Sequence, residues 1–187
     1  MMKHYLLLLS MIIVFPLSLV AQVTDDMYSV KDGAVVVEKV IPFSIPQQQA
    51  SDAVKRYLVT NLKDSNQTLK VADVDYFVAK ILTPQLTHHV MGSWYTVGEV
   101  TIEVKFKEDR TKVSLQCNNI RNENVQGTNC MSYSPLEASP LAKHDAMKVN
   151  ITKKAADDTF NNLVMYMAYI VEEINASVKN AKVEDDW

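Results

Sequence analysis

From Val100 to Phe106 the apolar side chains Val100, Ile102, Val104 and Phe106 occupy every second position, and Glu99, Thr101, Glu103, Lys105 and Lys107 fill the places between and beside them. Alternation with period two marks a strand with one face in the core and one in water. Beyond the charged turn Glu108-Asp109-Arg110, Val113, Leu115 and Cys117 alternate with Lys112, Ser114, Gln116 and Asn118. Two such runs around a short polar turn predict a β-hairpin. Paired residues share a face, so Phe106 is expected opposite Val113, Val104 opposite Leu115 and Ile102 opposite Cys117. A slip of two residues would keep the same faces. Carried back unbroken, the alternation puts Trp94 on the core side with Val100 and Tyr95 on the outer face with Val97.

The β-branched run from Ala34 to Ile41 predicts the first strand, ended by Pro42 and Pro46, because proline supplies no ladder donor. Between Gln47 and Leu62 the period becomes helical, with Ala50, Val54, Tyr57, Leu58 and Leu62 on one face. Residues 63–67 form its exit loop. Leu69 to Thr83 reads as a second hairpin turning near Asp73 and Asp75, followed by a loop from Pro84 to Gly92 that holds His88 and His89. Residues 121–151 carry no usable period. A second helix starts between Thr152 and Asp158, with its stripe on Phe160, Leu163, Val164, Met167, Ile170, Val171, Ile174 and Val178. Beyond Lys179 the chain becomes a charged tail. Elements of this kind, each with one apolar face, fit an α+β fold: a curved antiparallel sheet with two helices packed on one face.

The first residues are expected to be an address. Lys3 precedes an almost unbroken apolar run from Tyr5 to Val20, then small Ala21 and a polar flank at Asp25 and Asp26. This is the pattern of a secretory signal peptide, residues 1–21, leaving one domain over 22–187. Pro16 and Ser18 interrupt the run, which argues against an uncleaved span. No cysteine lies near the cleavage site, so the mature chain is expected to be periplasmic or secreted, without a lipid anchor or a transmembrane segment. Loss of Lys3 takes the formal net charge from −3 to −4. An acidic exported chain is a poor nucleic-acid binder, since phosphate recognition calls for a basic surface. Export also admits disulfides, and a bridge between Cys117 and Cys130 would tie the aperiodic segment to the sheet.

The Val-Val-Glu-Lys-Val-Ile strand at 36–41, the helix ending Tyr57-Leu58, and the hairpin from Val97 to Ile120 with its Asn118-Asn119-Ile120-Arg121 close resemble a known family. It comprises exported bacterial domains of unknown function, typical of gut Gram-negative species, with a TATA-box-binding-protein-like fold. The similarity spans about residues 35–120 and implies that fold, but brings no catalytic residues. The long 121–151 segment and the absence of glycine at 108–110 depart from the family pattern. A fold name is no argument for DNA binding, because function belongs to sites.

Chemistry-bearing motifs are sparse. His88-His89 lacks a third convergent ligand at metal-site spacing, and His144 is the only other histidine beyond the leader. Asp73 and Asp75 are explained as turn residues, and Met165 and Met167 with Phe160 as a core face. No nucleophile elbow or glycine-rich phosphate loop occurs. No catalytic, metal or cofactor residues are therefore assigned, and no cofactor is expected. The ligand-facing candidates are Tyr95, Thr101, Glu103, Lys105 and Gln116 on the outer sheet face. The resulting expectation is a non-enzymatic binding or interaction domain with a protein, peptide or glycan partner. The alternatives are a hydrolase-like enzyme whose site is assembled by folding, and an envelope assembly subunit that pairs through a sheet edge.

Overall fold

In the computed structural model, residues 23–61, 68–72, 75–89, 94–124, 129–138 and 152–181 are described, with backbone alone at 68–72, 89, 124, 129–131 and 138. The strands are β1 (Ser29–Lys31), β2 (Ala34–Pro42), β3 (Thr68–Ala72), β4 (Tyr76–Leu82), β5 (Thr87–His89), β6 (Trp94–Lys107), β7 (Arg110–Asn124) and β8 (Asn129–Tyr133). The helices are α1 (Gln47–Asn61), a single turn α2 (Pro135–Ala138), and α3 (Lys153–Asn180). All described pairings are antiparallel, in the order β1-β2-β7-β6-β4-β3. β5 continues the β4 side of the sheet along the first residues of β6, and β8 continues the β2 side along the last residues of β7. The α+β class and the curved sheet follow the expectation, with α2 as a third, short helix.

The β6–β7 hairpin is the spine of the sheet, 14 residues against 15. Its faces are as expected but its register is not. Val104 opposes Val113, Ile102 opposes Leu115 and Val100 opposes Cys117, two residues from the expected pairing. The reason is a tighter turn: Lys107 pairs with Arg110, leaving only Glu108 and Asp109 in the loop. The carbonyl of Asp109 accepts from Phe43 N at 2.9 Å, which pins the turn to the end of β2. Farther along, Glu99 opposes Asn119 while Val100 opposes Cys117, so Asn118 is an extra residue in β7. Such a bulge bends the strand, and the bent hairpin wraps the helical layer.

That layer is built around α3, 28 residues and about 42 Å long at 1.5 Å per residue. Thr152 caps it, its Oγ1 accepting from Ala155 N at 3.2 Å. All eight residues of the expected stripe are buried, against the inward residues Val35, Val37, Ile102, Leu115 and Ile120 of the sheet. α1 lies on the same side and buries Ala50, Val54, Tyr57 and Leu58. The helix lies close over the sheet at Gly98, where an added Cβ would stand 3.0 Å from Leu163 Cδ1.

Four further expectations are corrected. Ser29–Lys31 is a strand, joined to β2 by an Asp32-Gly33 turn with positive φ at both residues (50° and 78°). His88 and His89 belong to strand β5, because β6 extends past β4 and offers them a ladder. Residues 121–124 continue β7 and 129–133 form β8, since pairing of the first with β6 and of the second with β7 can sustain a polar sequence in a strand. Trp94 keeps the inward parity but is 39 % exposed. Two residues farther in, Thr96 already meets Thr159 near the start of α3, so little helix is left to cover Trp94. Leu62, the predicted turn residues 73–74 and the chain before residue 23 lie outside the described residues, as do all of 139–151 and the tail beyond 181.

Candidate functional site on the outer sheet face

The predicted cysteine bridge is not made. Cys117 is a free, buried thiol. Cys130 lies between Asn129 and Met131, which pair with Glu123 and Asn122. Five or six residues of β7 therefore separate the two cysteines, roughly 16–20 Å at about 3.3 Å per residue, whereas bridged Cα atoms lie within about 7 Å. The sequence separation of 13 gave no warning, because the chain runs away from Cys117 along β7 before it turns back. Burial pushes the Cys117 thiol up to about 12, so it behaves as a small core residue.

The predicted ligand-facing residues all share the outer face, but the structure spreads them from its open end through mid-sheet to the hairpin tip. At the open end, Tyr95 donates its hydroxyl to Glu123 Oε2 at 3.2 Å. Arg121 joins Glu123 and Glu99 at 2.7 and 3.3 Å, and Asn119 Nδ2 donates to Glu99 Oε2 at 3.1 Å. Glu123 is buried. Tyr95 is thus one strut of a network in which a single guanidinium holds two carboxylates. Thr101 and Gln116 are paired across β6 and β7 at mid-sheet, with Gln116 exposed.

Glu103 and Lys105 lie toward the hairpin tip, and here the outer face forms a groove of about 500 Å³. Cross-strand register builds it. Val40, Lys112, Lys105 and Tyr76 form one row across β2, β7, β6 and β4, and Pro42, Arg110 and Lys107 begin the next. Lys105, Lys107, Arg110 and Lys112 line the groove between Val40 and Tyr76, with Asp75 and Phe106 at the β4 side. The walls are tied down. Phe106 N donates to Asp75 O at 2.9 Å, Thr111 Oγ1 to Lys105 O at 3.0 Å, and Gln47 Nε2 to Asp75 Oδ1.

Carboxylates in the next row partly answer these cations. Glu103 meets Lys105 at 2.9 Å and accepts from Tyr76 OH at 2.7 Å. Glu38 meets Lys31 and Lys112 at 2.7 and 3.2 Å. Both carboxyls are held below their ordinary range, Glu103 by Lys105 foremost and Glu38 by Lys31 foremost. Lys105 Nζ also stands 5.5 Å over the Tyr76 ring. Lys107, Arg110, Lys112, Val40 and Tyr76 were missed as site residues. The signal existed, as cations at every second position on both sides of the turn. The expected register, however, put Lys105 opposite Ser114 and left Arg110 in the loop.

No three His, Cys, Asp or Glu side chains converge as metal ligands among the described residues, and His88 is exposed. No described helix is long and apolar enough to cross a membrane.

The same architecture occurs in a solved TBP-like protein from Parabacteroides distasonis, with a TM-score of 0.63 over 82 % of this chain and 98 % of that one, at 9 % identity. The chain has a TBP-like fold. A DUF4468 family protein from Bacteroides ovatus shares it at a TM-score of 0.59 and 16 % identity, over 86 % of this chain and 94 % of that one. At these identities the likeness is one of fold. No protein-family model and no curated protein matches the sequence. The TBP-like sheet therefore agrees with the resemblance drawn from its strands, while the basic groove is described from this chain's own residues.

Proposed function

We propose that this protein is an exported, non-catalytic binding domain whose ligand lies on the outer sheet face, in the groove at the tip of β6–β7. In this reading residues 1–21 are a cleaved signal peptide, and 22–187 work as a single domain in the periplasm or outside the cell, without a lipid anchor. The observation that carries the proposal is the groove itself. Its volume of about 500 Å³ falls within the range of small-ligand sites, about 300–1,000 Å³. It combines apolar surface from Val40 and Tyr76 with convergent cations, and backbone hydrogen bonds fix its walls before any ligand arrives. A hydrolase needs a nucleophile or a paired acid and base beside such a groove, and Asp75, its one lining carboxylate, is hydrogen-bonded to Gln47.

The test is ligand-observed NMR on residues 22–187 with fractions of an envelope extract from the native host, followed by mass spectrometry of whatever is retained. Tyr76→Ala should abolish retention while the protein still unfolds in one cooperative transition, with the lost hydrogen bond to Glu103 costing about 0.5–1.5 kcal/mol of unfolding free energy. Retention unaffected by Tyr76→Ala, or chemical conversion of the retained compound, would overturn the reading.

A further inference from the structure

We infer that the groove takes an anionic ligand of sugar size, bearing a carboxylate or phosphate that seats between Lys107 and Arg110 while its body lies between Val40 and Tyr76. The inference rests on the outer-face reading and adds the ligand's chemistry to it.

The argument begins from a conflict within the sheet. Like charges placed directly opposite on neighbouring strands are destabilising, and the hairpin tip has two such pairs in succession, Lys105 with Lys112 and Lys107 with Arg110. The chain as a whole carries a net charge of −3, so this cluster does not follow from composition. Local conflicts of this kind are expected at functional sites.

The two pairs differ in how they are relieved. Lys105 and Lys112 each meet a carboxylate, Glu103 and Glu38 respectively. Lys107 has no ion pair among the described residues, and Arg110 has only Asp109 at 3.6 Å, whose side chain is 74 % exposed. The outermost pair is thus left with positive charge facing the groove. Opposed Cα atoms in an antiparallel ladder are about 4.5–5.5 Å apart, close enough for the oxygens of one carboxylate or phosphate to bridge both side chains. Arginine adds a planar fork matched to such oxyanions. Glu38 and Glu103, two rows inward beyond Lys105 and Lys112, would repel a second acidic group, which confines the anion to the tip. The ligand's body then lies along Val40, 56 % exposed, and the face of Tyr76.

A membrane phosphate offers the same chemistry, but the surroundings disfavour it. Glu108 and Asp109 are both exposed at the turn, and an acidic bilayer would meet them first. A recessed groove flanked by carboxylates suits a single acidic unit better than a charged plane.

The experiment titrates residues 22–187 with galacturonate, glucose 6-phosphate, neutral maltotriose and phosphatidylglycerol vesicles, reading backbone amide shifts. At least one of the two soluble anions should shift Tyr76, Lys107 and Arg110. The double variant Lys107→Gln/Arg110→Gln should bind that anion at least 10-fold more weakly, and Lys80→Gln, at an exposed outer-face lysine away from the groove, should bind it as wild type does. The double variant should also denature at a midpoint equal to or above wild type, since cross-strand repulsion is removed; a structural role for the two cations would lower it. Equal binding of maltotriose in the groove, indifferent to the double variant, would overturn the anion inference and leave the outer-face reading standing. Anion shifts confined to another surface would overturn both. Vesicle binding without either soluble anion, or no binding by any probe at millimolar concentration, would overturn the inference as stated.

Discussion

Gly98 offers the sharpest test of how the helical layer sits on the sheet. Its φ lies outside the left-handed region, so no backbone reason requires glycine there. The constraint is space. A Cβ at this position would stand 3.0 Å from Leu163 Cδ1, 3.3 Å from Thr83 Cγ2 and 3.4 Å from Cys117 Sγ, whereas carbon atoms pack best at about 3.5–4.0 Å. Leu163 is fully buried, and α3 is held down nearby. Thr159 Oγ1 is 2.8 Å from Thr87 Oγ1 and 3.3 Å from Thr96 Oγ1, and Asn162 Nδ2 donates to Leu86 O at 2.6 Å. The helix therefore resists lifting, and the methyl must be absorbed by side-chain shifts. Overpacking a core costs about 1–3 kcal/mol, while replacing glycine by alanine gains about 0.4–1 kcal/mol through the unfolded chain. Gly98→Ala should consequently destabilise by roughly 0.5–2 kcal/mol in urea denaturation. The double-mutant cycle carries the physical content. Leu163→Ala alone should cost about 2–5 kcal/mol, and with that side chain gone Gly98→Ala should become neutral or stabilising. A Gly98→Ala protein as stable as wild type, with additive effects in the cycle, would refute the close contact and the seating of α3 drawn from it.

Three other outcomes follow from the same packing. Ile170→Ala, on the buried stripe of α3, should lower the unfolding free energy by about 2–5 kcal/mol; an unchanged denaturation midpoint would mean that the helix is not docked there. Cys117, buried and with its thiol pushed up to about 12, should resist alkylation at pH 8 until the protein unfolds, as read by mass mapping of labelled peptides, and unreduced intact mass should count two free thiols. Glu38 and Glu103 have folded pKa values below the ordinary 4.5, so their contribution is present above that value and is lost as pH falls through the folded values. The urea midpoint of Glu38→Gln/Glu103→Gln should therefore decline less than that of wild type between pH 5 and pH 3, and parallel declines would sink the assignment.

Much of this fold follows from local pattern, because period two and period 3.6 are properties of the chain and need no partner to be legible. The inward residues of the β6–β7 hairpin from Val100 to Cys117 and the buried stripe of α3 follow from spacing alone, whereas spacing brackets the start of α3 only between Thr152 and Asp158 and its cap falls at the first of these. The Asp-Gly pair at 32–33 was a hairpin signal of the same local kind, and it could have revealed β1. Tertiary structure decided what spacing leaves degenerate. A slip of two residues preserves every face, so the β6–β7 register had to be chosen by the two-residue turn and its hydrogen bond to Phe43. That choice alone sets Lys107 against Arg110 and Lys105 against Lys112, and so makes the groove. The separation of Cys117 from Cys130 was likewise invisible, because it depends on how far β7 runs before β8 returns. Val40 and Tyr76 come from strands that meet the hairpin from opposite sides, and a contact between distant segments has no period in the sequence from which to read it.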